Sequence, residues 1–468
     1  MFVLLIQPTL ERAAPAGGMR SEPPAPPWDL VCLHSFLRAR TGCRPILFDA
    51  RLFADWPQAL ENLTPSGGRD VIAVVRSRIF ELPAARRTLE VLAERLPGAM
   101  RVLCGPLPSL RPEACARLPN VDAVIAGDPE PTLRFLIENR HAPARLQNAP
   151  GLALPGRTTS PLWWSDLNQL PSTMWEALPW RDYIHYAGGG LRALVRVSRG
   201  HSDVPANRAW GDTAEPLRFW DFNRLAQSFG RCAHLGVVEN LVVDPPGIWT
   251  PDRLQAWCDA LINARNTHPW SLQILPRIIS ASEAYQLREA GCRRLEIVLP
   301  SSRPTELARY GLPGERRGLQ LAVRSMAQDG LEVLLRCWIG GPGEGRREGR
   351  RMRRLIRTLG YPPVRFQPFP FALDAPMVQE ITPDPATPNL TTWLTPSGAQ
   401  PPLEAAWGGA AGHARASAMC ERLDYDMRHR WGPRLHRWWL RWRNTSLVDD
   451  LEQRTTELLK STDTASGT

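Results

Sequence analysis

Between residues 198 and 211 the chain reads SRGHSDVPANRAWG. The run LRALVRV before it has the short apolar character of a strand, so Ser198, Arg199 and Gly200 mark a turn where a sheet meets a loop. Such loops are where catalytic groups collect. His201 reads either as a general base or ligand, or as a hydrogen-bonded loop histidine. Asp244, closing LVVDPPG, ranks first among carboxylates for substrate binding, with a capping role as the alternative. Arg277 in PRII and Arg336 in RCWIGG lie near strands, where a guanidinium suits an anionic substrate group or an internal ion pair. Nothing after His201 in its loop has the spacing of a metal site, and none is predicted.

Composition narrows the classes. The 468 residues exceed one ordinary core, so two or three domains are expected. Hydrophobic residues at 43% and charged residues at 22% are ordinary for a globular chain. The formal charge is +10, yet Lys460 is the only lysine and the remaining basic residues are arginines spread along the chain. With no recognised module beside it, that charge does not predict nucleic-acid binding. Nine cysteines are scattered with no C-x-x-C pair and read as reduced core residues of a cytoplasmic protein. MFVLLIQP is too short for a signal segment, and no apolar run is long enough for a transmembrane helix.

The elements that must position these residues follow from periodicity. Over residues 1–140, FVLLIQP, CRPILFDA, DVIAVVRSR, MRVLCGP and VDAVIAG read as buried strands separated by amphipathic helices, which predicts an α/β, doubly wound, Rossmann-like domain. Residues 141–190 hold Trp163, Trp164, Trp175 and Trp180 and read as an aromatic linker packed across the domain boundary. Over 191–375, six strand-like units with intervening helices predict a partial (βα)6 barrel of TIM type, its chemistry at the strand carboxyl ends. Residues 376–468 read as a helical C-terminal region with a disordered tail. Within it, PRLHRWWLRWR reads as a docked helix or as a membrane-surface helix. GEGRREGRRMRRLIRTLG reads as a barrel helix with a solvated basic face and Met352, Leu355, Ile356 and Leu359 turned inward.

Several short matches stand in order: MFVLLIQP, ILFDA with Asp49, LCGPLPS, DAVIAGDPEPTLRFLI, SRG, VVDPP, LPRII with Arg277, and WIGGPGE. Through them residues 1 to about 375 resemble the cobalamin-binding-domain branch of the radical S-adenosylmethionine superfamily. The resemblance implies cobalamin at the N-terminal strand ends, with Gln7, Arg76, Ser77, Arg78, Gly105, Pro106, Gly127 and Glu130 as contacts. Lacking D-x-H-x-x-G, the chain has no histidine placed to ligate cobalt. A remnant S-adenosylmethionine or substrate site would draw on Arg277, Arg336, Gly340, Gly341, Gly343 and Glu344, with closure of a βα loop by its backbone geometry as the alternative reading of the Gly340–Glu344 turn.

The departures from the family pattern matter most. Its Cys-x3-Cys-x2-Cys loop holds a [4Fe–4S] cluster, but the three positions here are His201, Pro205 and Arg208. Proline offers no ligand atom and a guanidinium no lone pair to iron. Pro300 stands where a fourth-strand carboxylate is expected. The expectation is therefore a cluster-free protein that forms no deoxyadenosyl radical and carries out a cobalamin-dependent, cobalt-centred step such as alkyl transfer on a small molecule in specialised metabolism. The alternative is a catalytically inactive partner or scaffold of another biosynthetic protein.

Overall fold

The computed structural model describes residues 1–9, 26–63, 70–78, 81–157, 159–173, 175–178, 180, 183, 192–200, 215–327, 330–340, 347–360, 362–368, 419–420 and 422–423. Two six-stranded sheets carry the chain. The first comprises β1 (Phe2–Gln7), β2 (Arg44–Asp49), β3 (Val71–Arg76), β4 (Met100–Cys104), β5 (Ala123–Ile125) and β6 (Leu152–Ala153), in the order β2-β1-β3-β4-β5-β6. β1 to β5 are parallel, and β6, drawn from the aromatic segment, adds an antiparallel edge. Continuous apolar strands such as VIAVVR, buried throughout, require cover on both faces. The helices Trp28–Arg40 and Pro129–Asn139 cover one face, and Leu82–Arg95 covers the other. The order reverses between β1 and β3, which puts the ligand crevice of such a sheet at their carboxyl ends.

The second sheet is an open, sequentially ordered half barrel. It runs from β7 (Arg192–Val195) through β10 (Glu239–Val242), β11 (Trp270–Ile274), β12 (Cys292–Leu299) and β13 (Glu332–Ile339) to β14 (Val364–Pro368). Between the first two of these lies a short antiparallel pair, β8 (Ser198–Arg199) with β9 (Arg218–Phe219). Parallel register divides the barrel strands into two faces. Val195, Val242, Leu272, Ile297, Leu335 and Ile339 belong to the apolar core under the helical shell. The opposite face carries Arg192, Glu239, Gln273, Glu296 and Arg336, so the barrel interior is charged.

The helix Glu348–Thr358 buries Met352, Leu355 and Ile356, followed by Leu359, as the periodicity predicted. Trp175 and Trp180 pack in the barrel's core, and Trp175 lies 5.0 Å from Trp28 of the N-terminal domain. The Tyr183 hydroxyl donates to Asp49 at the end of β2. The aromatic linker thus bridges the two sheets through packed rings. Among the described residues no helix is long and apolar enough to cross a membrane.

Candidate functional site at the seam between the two sheets

Each member of the Ser-Arg-Gly turn has a definite task. Ser198 donates its hydroxyl (2.6 Å) and its backbone N–H (2.7 Å) to Asp244, whose carboxylate also accepts from the Val197 N–H at 2.9 Å. Asp244 is wholly buried, so it fastens β8 to the end of β10. Burial pushes its pKa up to about 6, against the lowering effect of the Ser198 hydrogen bond. Gly200 has φ 87°, and a Cβ there would overlap the Pro216 carbonyl. Only glycine lets the two passes of chain approach so closely.

Arg199 crosses to the N-terminal domain. It donates to Glu130 at 2.6 and 3.0 Å and to Asp128 at 3.0 Å, with its guanidinium 5.5 Å from the Trp220 ring. Arg218 of β9 bonds to Asp128, to Glu215 and to the Trp164 carbonyl. Burial disfavours ionisation of Asp128, but Arg199 and Arg218 outweigh it and hold its pKa below the usual range. Glu215 is pushed up to about 7 by burial and by Asp128, with Arg218 opposing.

The strand ends expected to cradle a cofactor make several contacts with the protein itself. Gln7 and Arg76 occupy the β1/β3 crevice. The Gln7 side-chain oxygen accepts from Arg76 at 3.2 Å, while Arg76 also bonds to Asp29 (2.9 Å) and Glu81 (3.2 Å). Ser77 donates its N–H to the Cys104 carbonyl. Gly105, at φ 111°, lets the chain pass Ser77, whose carbonyl a Cβ would meet at 2.9 Å. Pro106 opens the short helix that follows. Gly127, at φ 94°, bridges to Leu162, and its N–H bonds to the Ser109 hydroxyl. A Gly127→Ala side chain would overlap the Leu162 backbone. That variant should lose more than about 1 kcal/mol of stability, checked by urea unfolding.

Arg336 does not face open space: Glu296 accepts from both Arg336 and Arg192, tying three barrel strands together across the interior. Arg277 pairs with Glu283 at 2.7 Å, the glutamate that also closes the Ser280 capping box. Gly340 turns the chain at φ 91°. His201, Pro205, Arg208, Gly341, Gly343, Glu344 and the PRLHRWWLRWR segment lie outside the described residues.

What the seam leaves open is a cavity of about 100 Å³ walled by Asp29, Arg76, Gly105, Asp128, Arg196 and Glu215. Of the cations in that wall, Arg196 is the one whose guanidinium has no hydrogen-bonded partner among the described residues. Sequence reasoning missed Arg196, although its alternation with Arg192 and Leu194 placed it on the barrel's inner face. It also missed the bonding roles of Asp128 and Arg199 within motifs that it quoted.

This two-sheet arrangement, a 2-1-3-4-5 parallel sheet joined to a six-stranded half barrel, has the fold of the cobalamin-dependent radical S-adenosylmethionine enzymes. The structure of the methyltransferase TsrM from Kitasatospora setae, with tryptophan substrate and the analogue aza-SAM bound, matches 81% of this chain and 75% of its own with a TM-score of 0.61 at 16% identity. The same enzyme with cobalamin and a [4Fe–4S] cluster matches equally well. OxsB with aqua-cobalamin matches 78% of this chain at a TM-score of 0.57 and 15% identity, and the match spans 53% of OxsB. No family model and no curated protein matches the sequence.

The residues present can be tested against the groups these structures hold. Among the described residues no set of three or more His, Cys, Asp or Glu is arranged to hold a metal. All nine cysteines are buried, and burial pushes Cys32 and Cys104, near the seam, up to about 12. From Cys115 to Cys232 the sequence contains no thiol at all. At the strand ends Arg76 is already bonded to Gln7, Asp29 and Glu81, and Gly105 and Gly127 already receive neighbouring backbone.

Proposed function

We propose that this chain keeps the fold of the cobalamin-dependent radical enzymes as a non-catalytic partner or carrier in a biosynthetic system, without reductive cleavage of S-adenosylmethionine. One observation carries the reading. Each residue of the Ser-Arg-Gly turn is committed to a structural contact, Arg199 across to the first sheet and Ser198 and Gly200 within the barrel unit, and the loop after it supplies no thiolate. An electron source for sulfonium cleavage needs thiolates there. The carboxylates and guanidinia at the seam are largely neutralised by one another, which suits a rigid binding body better than a reacting centre.

A second reading has its own support. Arg196, whose guanidinium has no hydrogen-bonded partner among the described residues, leaves an unfilled demand for an anionic or amide group in the cavity at the seam, and the similar TsrM and OxsB structures hold cobalamin. On that reading the protein would bind cobalamin and act by a cobalt-centred step.

Anaerobic purification followed by iron, sulfide and corrin analysis separates the readings. The expected result is substoichiometric iron and sulfide, no deoxyadenosine formed from S-adenosylmethionine under strong reductant, and no corrin retained after gel filtration with added cobalamin. Stoichiometric corrin would replace the first reading with the second. Stoichiometric iron and sulfide with sulfonium turnover would overturn both.

A further inference from the structure

Away from the seam, the helical shell outside β12 and β13 forms a second concave site. A pocket of about 500 Å³ opens among the helices Pro304–Arg309, Arg316–Met326 and Glu348–Thr358. Its floor is apolar, built from the buried side chains of Leu307, Leu319 and Leu355. Four guanidinium groups, those of Arg303, Arg316, Arg351 and Arg354, stand around it, with Glu315 as the carboxylate on the rim.

Two of the four are held in place from beneath. Glu348, only 1% exposed, accepts from Arg303 and from Arg351 at 3.4 Å each, and from the Ser302 hydroxyl. The guanidinia of Arg316 and Arg354 meet no acceptor among the described residues. The helix Arg316–Met326 begins at the pocket with no side-chain cap. Its first N–H groups therefore add the positive end of a helix to the same wall.

We propose that this pocket binds an organic phosphate: an anionic phosphoryl group held by the arginines, with an apolar body on the leucine floor. Guanidinium forks match phosphate oxygens in geometry as well as charge. The volume lies in the range of small-ligand pockets, about 300–1,000 Å³. A merely solvated basic face predicts something different, because the helix Glu348–Thr358 also exposes Arg350 and Arg353, which lie outside the pocket. Those two arginines provide a charge-matched control.

The test is calorimetric titration of the full chain with phenyl phosphate and, separately, with inorganic phosphate at low ionic strength. Phenyl phosphate should bind saturably and more tightly than inorganic phosphate. The pair R316A/R354A should weaken it at least about tenfold, as expected for lost charge-assisted hydrogen bonds. The pair R350A/R353A should leave it within about twofold, the margin left for a change in net charge alone. All four positions are exposed, so both pairs should keep the wild-type circular dichroism. No saturable binding, or equal loss in the two pairs, would overturn the site. Equal affinity for the two probes would overturn the organic ligand. None of these outcomes depends on whether the seam holds a corrin.

Discussion

Replacing Arg199 with alanine should lower the free energy of unfolding by about 3–5 kcal/mol, the usual loss when one member of a buried ion pair is removed. The size follows from what is left behind. Glu130 is fully buried and Asp128 nearly so. Without the guanidinium, Glu130 loses both of its hydrogen bonds from Arg199, and Asp128 keeps only Arg218 and the Trp164 N–H. Lysine at 199 retains the charge but not the fork, so it should recover only part of the loss. The deficit should also depend on pH. Asp128 has a folded pKa below its unfolded value. Its contribution is therefore present above the unfolded pKa near 4 and fades as pH falls through the folded one. The difference between wild type and Arg199→Ala should be greatest near neutrality and shrink in acid. Urea unfolding of both proteins across that range is the check. A variant that matched wild type at pH 7 would mean that Arg199 does not join the sheets.

How much of this was readable in the sequence depends on the length scale of the information. Element type and order were legible because they depend on local periodicity. VIAVVR and RVLC could only be strands buried on both faces, and RRMRRLIRT could only be a helix with one apolar stripe. The six barrel strands appear where their sequences predicted them. The site was less legible because hydrogen-bond partners are set by tertiary distance. Asp244 stood out as a carboxylate at a strand end, but nothing local says that Ser198, 46 residues earlier, would consume its oxygens. Gly105 and Gly127 illustrate the same limit. A glycine at a strand end announces a close approach, while its sequence does not say whether a ligand or another stretch of backbone arrives. Here the Ser77 and Leu162 backbones do. The pairing of Arg192, Glu296 and Arg336 spans the barrel interior and was visible only once the register was known.

Replacing Asp244 with alanine is expected to cost about 3 kcal/mol or more, since it strands three buried donors at once, each worth roughly 1–3 kcal/mol when left unmade. Those donors are the Val197 N–H, the Ser198 N–H and the Ser198 hydroxyl. The pH dependence should run opposite to that of Asp128. The folded pKa of Asp244, about 6, lies above its ordinary value of 3.8, so the native state holds this proton more tightly than the unfolded chain does. Its contribution is therefore greatest below the unfolded pKa, declines between about 4 and 6, and is level above that. Alanine should remove that decline, and asparagine should remove it while keeping one acceptor oxygen, so the two variants separate hydrogen bonding from charge. A substrate-binding carboxylate predicts another pattern: unchanged stability in both variants, with the effect confined to ligand affinity. If Asp244→Ala unfolds at the wild-type urea midpoint, the fastening of the Ser-Arg-Gly turn is not its task, and the case for a closed, unreactive seam fails with it.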